Sequence, residues 1–291
     1  PELYIPVDTT ATTGQRVFYM NMELDGKYTK EQFSDQSLRV LCTATDPVSV
    51  DGAVGKAIRT DGYSTYITVN LSEEQIQSMD TNALTFSLWC APQTYPMMQL
   101  DYAQNVMSTI AGNLDNNKKT GMALRLSSQG DFCFDVYLSD GQRICVPAIQ
   151  KMPRGVWNHL AATISDQYIC LYHNGKIVNY TEYTGQIAIG TASMIVGKPN
   201  EIQQEYGCHI NTFNGILDEI AIDTYAWSPN QVAQTVGELA GKEVDLSIPF
   251  EYFKDNILRP HFHGMPSANW SNETHGIAYE NGKYHVFFQK N

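Results

Sequence analysis

The stretch that decides the fold runs from Asn158 to Val178, "NHLAATISDQYICLYHNGKIV". Two apolar runs flank Ser165-Asp166-Gln167, and a third follows Asn174-Gly175, the dipeptide best suited to a two-residue type I′ hairpin turn. Three strands joined by two tight turns make an antiparallel meander. The same period-two alternation spreads outward from it. In "LTFSLWCAP" (84–92), Phe86, Leu88 and Cys90 alternate with Thr85, Ser87 and Trp89, and Pro92 closes the run. "GMALRL" (121–126), "GDFCFDVYL" (130–138) and "QRICVPA" (142–148) continue it across Ser-Gln-Gly and Ser-Asp-Gly turns. Helical spacing is rare. "SEEQIQSM" from Ser72 and "SPNQVAQTVGEL" from Ser228 carry it, each opened by a serine placed to cap the helix.

Many short strands joined by Gly and Asp turns over about two hundred residues predict an all-β chain with two antiparallel sheets packed face to face. At 291 residues the chain exceeds the length at which one core usually keeps growing, so a second piece is expected. The loss of periodicity in "GKEVDLSIPFEYFKDNIL" (241–258) reads as linker. Alternation then returns in "GIAYENGKYHVFFQ" around Asn281-Gly282. A formal net charge of −12 argues against a nucleic-acid-binding protein, because polyanion binding needs clustered Lys and Arg. Apolar runs fall short of the roughly 20 residues that a helical membrane span needs. The first residue is Pro1 rather than Met, as expected of a chain processed at its start. The six cysteines, Cys42, Cys90, Cys133, Cys145, Cys170 and Cys208, show neither C-x-x-C nor a short Cys/His spacing that suits zinc, and Cys90, Cys133 and Cys170 sit in apolar strand patterns as buried thiols.

Five ordered blocks, "DGAVGKAIRTDGYSTYITV", "LTFSLWCAP", "RGVWNHLAATISDQYICLYHNGKIV", "SMIVGKP" and "FNGILDEIAI", resemble the laminin-G-like, concanavalin-A-like jelly rolls. The resemblance implies an N-terminal extension over 1–16, a jelly-roll domain over 17–235 and a linker over 236–258. Trp157 and His159 then belong to a core strand and have no role in a site. Of Tyr172 and His173, alternation puts one toward the core and the other toward solvent. Asp218 and Glu219 interrupt an apolar strand, and a buried carboxylate needs a cation or hydrogen-bond donors. The resemblance implies a structural calcium with Asp218 as ligand; an Arg or main-chain NH groups would satisfy the carboxylate equally well. No cofactor is otherwise required. Tyr95, Tyr102, Tyr180, Tyr183 and Tyr206 lie in polar surroundings and are the candidates for a sugar-binding platform. Such sandwiches also serve as spacers, and fold does not decide between the two roles.

The segment 259–291, "RPHFHGMPSANWSNETHGIAYENGKYHVFFQKN", resembles the start of the five-bladed β-propeller of glycoside hydrolase family 32, the invertases, inulinases and levanases. The resemblance rests on Arg259-Pro260, Phe262-His263, Pro266, the run Trp270-Ser271-Asn272-Glu273-Thr274-His275-Gly276, and Tyr284-His285-Val286-Phe287-Phe288-Gln289. It implies the first strands of a truncated propeller. Glu273 then takes the nucleophile position, with Trp270, Asn272 and His275 shaping a pocket for a β-fructan or related glycan. Two departures stand out. The family places Asp where this chain has Glu273, and a shift of a reacting atom by about 1 Å can cost roughly a hundredfold. This implies either a divergent branch with its own substrate or one that has lost the family reaction. The family's later Arg-Asp-Pro and Glu-Cys motifs do not occur here, so the second carboxyl of a retaining glycosidase is missing. The chain alone is expected to be inactive, as the amino-terminal portion of an exported glycosidase at a bacterial periplasm or cell surface. The competing reading is a non-catalytic carbohydrate-binding module or a structural buttress. An isolated hairpin is marginal in water; Trp270, Phe287 and Phe288 read either as its core or as motif residues, and pairing of this hairpin between copies would give a homo-oligomer.

Overall fold

The computed structural model describes residues 14–42, 46–96, 107–200, 204–205, 208–209, 211–247, 254, 257 and 271–290, with the side chains of 204–205, 208–209, 271–273 and 289–290 excepted. The chain divides into two units, Pro1–Asp245 and Leu246–Asn291. In chain order the first holds β1 (Arg16–Met20), β2 (Tyr28–Glu31), β3 (Gln36–Arg39), β4 (Val48–Asp51), β5 (Lys56–Asp61), β6 (Ile67–Val69) and α1 (Glu73–Met79). It continues through β7 (Leu84–Thr94), β8 (Met107–Gly112), β9 (Met122–Ser127), β10 (Asp131–Tyr137), β11 (Arg143–Lys151), β12 (Asn158–Ile164) and β13 (Tyr168–His173). The unit closes with β14 (Lys176–Glu182), β15 (Met194–Val196), β16 (Gln204–Glu205), β17 (Cys208–His209), β18 (Asn214–Asp223) and α2 (Pro229–Val236). The second unit holds β19 (Ser271–Glu280) and β20 (Lys283–Lys290).

The expected sandwich is present. One sheet runs β14-β13-β12-β7-β18-β5-β4, with β1 also paired to β18, and the other runs β11-β10-β9-β8-β15-β6. The pairings within both sheets are antiparallel. Local sequence accounts for the joints. Asn174 and Gly175 take φ of 51° and 79°, the left-handed pair that a type I′ turn demands and that Asn-Gly accepts at least cost. Both helices sit where the spacing places them, each closed at its start by a capping box, Ser72 with Gln75 and Ser228 with Gln231. The core lies between the sheets. Phe86, Leu88, Leu160 and Leu171 from one layer meet Leu124, Phe132, Phe134 and Val136 from the other, which are the inward positions of the alternation.

The outer face of the larger sheet departs from expectation. Alternation does put Tyr172 and His173 on opposite faces, yet both are buried, at 1% and 6% exposure. Tyr172 points outward but is covered: with Ala161 and Cys170 it packs against Trp227 and against Val232 of α2. Farther along the same face, residues 241–244 run across Trp157. Main-chain bonds join Trp157 N to Lys242 O (2.9 Å), Gly241 N to Trp157 O (2.8 Å) and Val244 N to Gly155 O (3.0 Å). Beneath this strap Trp89 stands edge-on to Trp157 (6.2 Å) and to His159 (5.0 Å), so Trp157 and His159 are structural, as read from the sequence.

His173 belongs to the inner face, edge-on to Phe132 at 5.2 Å. Asn158 donates its amide to the carbonyls of Pro153 (3.0 Å) and Val156 (2.9 Å), which turns its Oδ1 toward His173 Nε2 at 2.8 Å. An oxygen there requires a donor, so Nε2 carries the proton and Nδ1 accepts from Gln150. Burial pushes both histidines down to about 4, with the charge of His173 adding to the effect at His159. A depressed histidine stabilises the fold above its unfolded value of 6.5, and that contribution drains away as pH falls toward 4. His173→Gln keeps a polar side chain and removes one titration. Urea denaturation midpoints of this variant are expected to fall less steeply between pH 6.5 and 4 than those of the parent chain.

Candidate functional site

On one flank of the sandwich, β11 at the edge of the smaller sheet and β14 at the edge of the larger leave a cleft of about 640 Å³. Its floor is apolar, from buried Leu138, half-buried Ile144 and Tyr183. The rim is polar and exposed: Gln142, Arg143, Gln167, Glu182 and Thr184, with Tyr168 and Thr181 half-buried between them. Strands carry part of this lining and the adjoining loops the rest, Gln142, Gln167, Tyr183 and Thr184 lying just outside strand ends. Arg143 opens β11 and reaches Asp135 at 2.5 Å; Tyr168 starts β13 directly after the Ser165-Asp166-Gln167 turn. Tyr168 stands edge-on to Tyr180 at 6.0 Å, and Tyr183 donates its hydroxyl to Ser165 O at 2.7 Å. An aromatic surface flanked by two amides, a carboxylate and hydroxyls is the lining that takes a sugar, apolar face against the ring and polar groups around the hydroxyls.

Of the five tyrosines expected to form a platform, Tyr183 lines this cleft. Tyr180 packs in the cluster beneath α2. Tyr95 is engaged otherwise, its hydroxyl on Met152 O at 2.6 Å and its ring under Arg154 at 5.1 Å. Tyr102 and Tyr206 lie outside the described residues. Tyr168, which also lines the cleft and packs against the same cluster as Tyr180, does not stand out in sequence because its neighbours read as an ordinary strand start.

Asp218 is buried without exposure, at an irregularity in the pairing of β18 with β7 between Asp218 and Ala221. Its carboxylate accepts from Val54 N at 3.1 Å and from Glu219 N at 2.9 Å, while Glu219 takes a left-handed φ of 51° and accepts from the Tyr19 hydroxyl at 2.8 Å. Gly52 permits the approach, since a Cβ there would lie 2.6 Å from Asp218 Oδ2. Main-chain NH groups therefore meet both carboxylate oxygens, Val54 of the loop on Oδ2 and Glu219 of β18 itself on Oδ1. Among the described residues no group of three carboxylate, histidine or cysteine ligands gathers around Asp218. The donors that meet this carboxylate in the fold are main-chain NH groups, one of the two satisfactions expected of it.

Of the motif residues of the second unit, Ser271–Gly276 and Tyr284–Gln289 lie on a hairpin, and Arg259, Pro260, Phe262, His263 and Pro266 lie outside the described residues. Asn281 and Gly282 take φ of 50° and 78°, again the type I′ pair. Pairing of β19 with β20 shifts register on both sides of Thr274, between Ser271 and Thr274 and between Thr274 and Gly276. Asn272, Glu273 and His275 thus fall in the irregular part of the strand, where bulges commonly re-aim side chains. His275 is exposed; the side chains of Asn272 and Glu273, and all of Trp270, lie outside the described residues. Phe287 and Phe288 are exposed at 60% and 38%, as are Ile277, Tyr279, Tyr284 and Val286. A two-stranded ribbon has no third layer, so these aromatics form no core.

Residues 61–233 match the concanavalin A-like lectin/glucanases superfamily in its laminin-G form. The chain belongs to that superfamily. Among solved structures, domain 4 of AbnA, a GH43 extracellular arabinanase from Geobacillus stearothermophilus in complex with arabinotriose, is 19% identical, with a TM-score of 0.55 over 77% of this chain and 98% of that one. The binding domain of Paraclostridial Mosquitocidal Protein 1 is 17% identical, with a TM-score of 0.58 over 95% of this chain and 64% of that one. At these identities the likeness shows the fold. Short stretches are closer to curated enzymes. Extracellular exo-inulinase inuE of Aspergillus niger is 42% identical over 59 residues, 20% of this chain and 10% of the enzyme. Levanase of Bacillus subtilis (strain 168) is 43% identical over 37 residues, 13% of this chain and 6% of the enzyme. The chain thus spans a tenth or less of the length of these relatives, and it combines a concanavalin-A-like sandwich with weak, partial similarity to glycoside hydrolases.

Desolvation raises the Asp218 carboxyl to about 7, with the Glu219 charge adding to it and the Val54, Glu219 and Ala53 NH groups opposing. A carboxyl raised in the fold stabilises below its unfolded value of 3.8, and the contribution is lost as pH rises toward 7. Asp218→Asn removes the titration. The stability difference between parent and variant, measured by urea unfolding, is expected to change across pH 4 to 7 in the direction that penalises the parent, and to be flat above it.

Proposed function

We propose that the chain is the amino-terminal portion of an exported glycoside hydrolase of the family 32 kind, in which the sandwich holds glycan at the β11–β14 cleft beside a catalytic propeller. The observation that carries this reading is the union, in one chain, of a superfamily sandwich with stretches over 40% identical to an inulinase and a levanase. The arabinotriose complex of the AbnA domain supports sugar binding by a sandwich of this shape. The substrate class is a β-fructan or related glycan. In the cleft, Tyr168 would stack on a sugar face while Gln142, Gln167 and Glu182 bond its hydroxyls. In a complete propeller Glu273 would attack the anomeric carbon, Asn272, His275 and Trp270 would shape the pocket around that sugar, and a carboxyl from a later blade would protonate the leaving oxygen. The setting is a bacterial periplasm or cell surface, and the exposed hairpin would meet the rest of the propeller or a second copy. A structural calcium at Asp218 enters this proposal only if the 52–55 loop turns carbonyls toward it. Chelation would then lower the thermal midpoint, and an unchanged midpoint leaves Asp218 to its main-chain donors.

Calorimetry of this chain with fructo-oligosaccharides is expected to show binding that Tyr168→Ala weakens about tenfold, the equivalent of ~1.4 kcal/mol and of one aromatic stack. Silence across fructans and common plant or host glycans would reduce the sandwich to a buttress. Joined to a complete propeller, Glu273→Gln is expected to lower kcat by about 10³-fold or more with little change in KM. A raised KM with unchanged kcat would remove Glu273 from the nucleophile position.

A further inference from the structure

On the outer face of the smaller sheet, pairing of β10 with β11 sets Asp135 directly across from Cys145 and Cys133 across from Pro147. Two thiols separated by eleven residues in sequence therefore meet one carboxylate. The two sulfur atoms and a carboxylate oxygen of Asp135 all lie within 4.8 Å of one another, with Cys133 Sγ at 3.7 Å from Asp135 Oδ2. Asp135 is buried without exposure, and its oxygens differ sharply. Oδ2 takes Arg125 at 2.9 Å and Arg143 at 2.5 Å, whereas Oδ1 is buried with no hydrogen-bond partner among the described residues. An unpartnered carboxylate oxygen in the interior is costly unless something binds it.

We propose that Cys133, Asp135 and Cys145 form a binding site for a zinc-class divalent ion, soft, d10 and tetrahedral, with water in the fourth position on the side of exposed Cys145. The ligand set points to this class, because thiolates select soft ions over calcium or magnesium. The dimensions agree. Bonds of ~2.3 Å to sulfur and ~2.0–2.2 Å to oxygen hold tetrahedral ligand atoms within about 4 Å of each other, so closing around the ion needs shifts of less than about 1 Å. The charge also balances. With neutral thiols the two arginines and Asp135 leave one net positive charge; the ion adds two and displaces both thiol protons to solvent, so the net charge is unchanged. A hydrogen bond with Cys145, burial and the Asp135 charge raise the Cys133 thiol. A disulfide fits the backbone less well. Cys133 and Cys145 are diagonal rather than directly opposed, and diagonal positions in an antiparallel pair stand ~7–8 Å apart at Cα, with Cβ atoms somewhat closer, against the ~3.5–4.5 Å between Cβ atoms that a disulfide needs.

The test uses the whole chain, reduced and freed of metal by chelator, titrated with cadmium and with zinc. One equivalent is expected to bind, with an ultraviolet cadmium-thiolate charge-transfer band and release of two protons per ion. Cys145→Ser alters an exposed side chain and is expected to fold as the parent by circular dichroism while weakening cadmium binding by at least about 100-fold. Cys133→Ser should do the same, and Cys170→Ser, on the other sheet, should bind as the parent does. Absence of the thiolate band in the parent, or parent-like affinity in Cys145→Ser, would overturn the site. So would an intact mass two hydrogens lighter after exposure to air with a Cys133–Cys145 cross-linked peptide, which would make the pair a redox disulfide.

Discussion

Strand β7 is paired with β12 on one side and β18 on the other, and nine of its eleven residues are buried. A central strand of this kind needs cover on both faces. The second sheet provides it within, through Phe86, Leu88 and Cys90. Outside, cover comes from α2 over the neighbouring β12–β13 pair and from the 241–244 strap over Trp157 beside Trp89. The constraint propagates. With the strap and helix on the outer face of the larger sheet, the cleft of the sandwich lies on its flank, between β11 and β14.

The fold was largely legible because its signals are local. Asn174-Gly175 and Asn281-Gly282 name their turns, Ser72 and Ser228 name their helices, and alternation names the core positions of β7, β12 and β13. What stayed hidden depends on partners distant in sequence. Tyr172 looks solvent-facing until Trp227 and Val232, some fifty residues away, come down on it. Cys133 and Cys145 match no metal spacing along the chain, since register between two strands, and not distance in sequence, brings them together. The candidate sugar site divides the same way: composition flags tyrosines, but the closure of two sheet edges decides that Tyr168 and Tyr183 share a cleft while Tyr95 is spent on Met152 and Arg154.

Asp218 shows how one buried carboxylate can be read two ways. An acidic residue in an apolar strand signals either a cation or donors, and here a glycine at 52 lets a loop approach closely enough for main-chain NH groups to serve. The same logic separates it from Asp135, which has arginines on one oxygen and, among the described residues, no hydrogen-bond partner on the other.

The sandwich is proposed to recognise glycan at the β11–β14 flank. Amide hydrogen exchange with and without fructo-oligosaccharide tests it most directly, because it reports position as well as binding. Protection confined to residues 142–144, 167–168 and 181–184 is the predicted result. Protection elsewhere on the sandwich, or none at ligand concentrations that saturate binding, would contradict it.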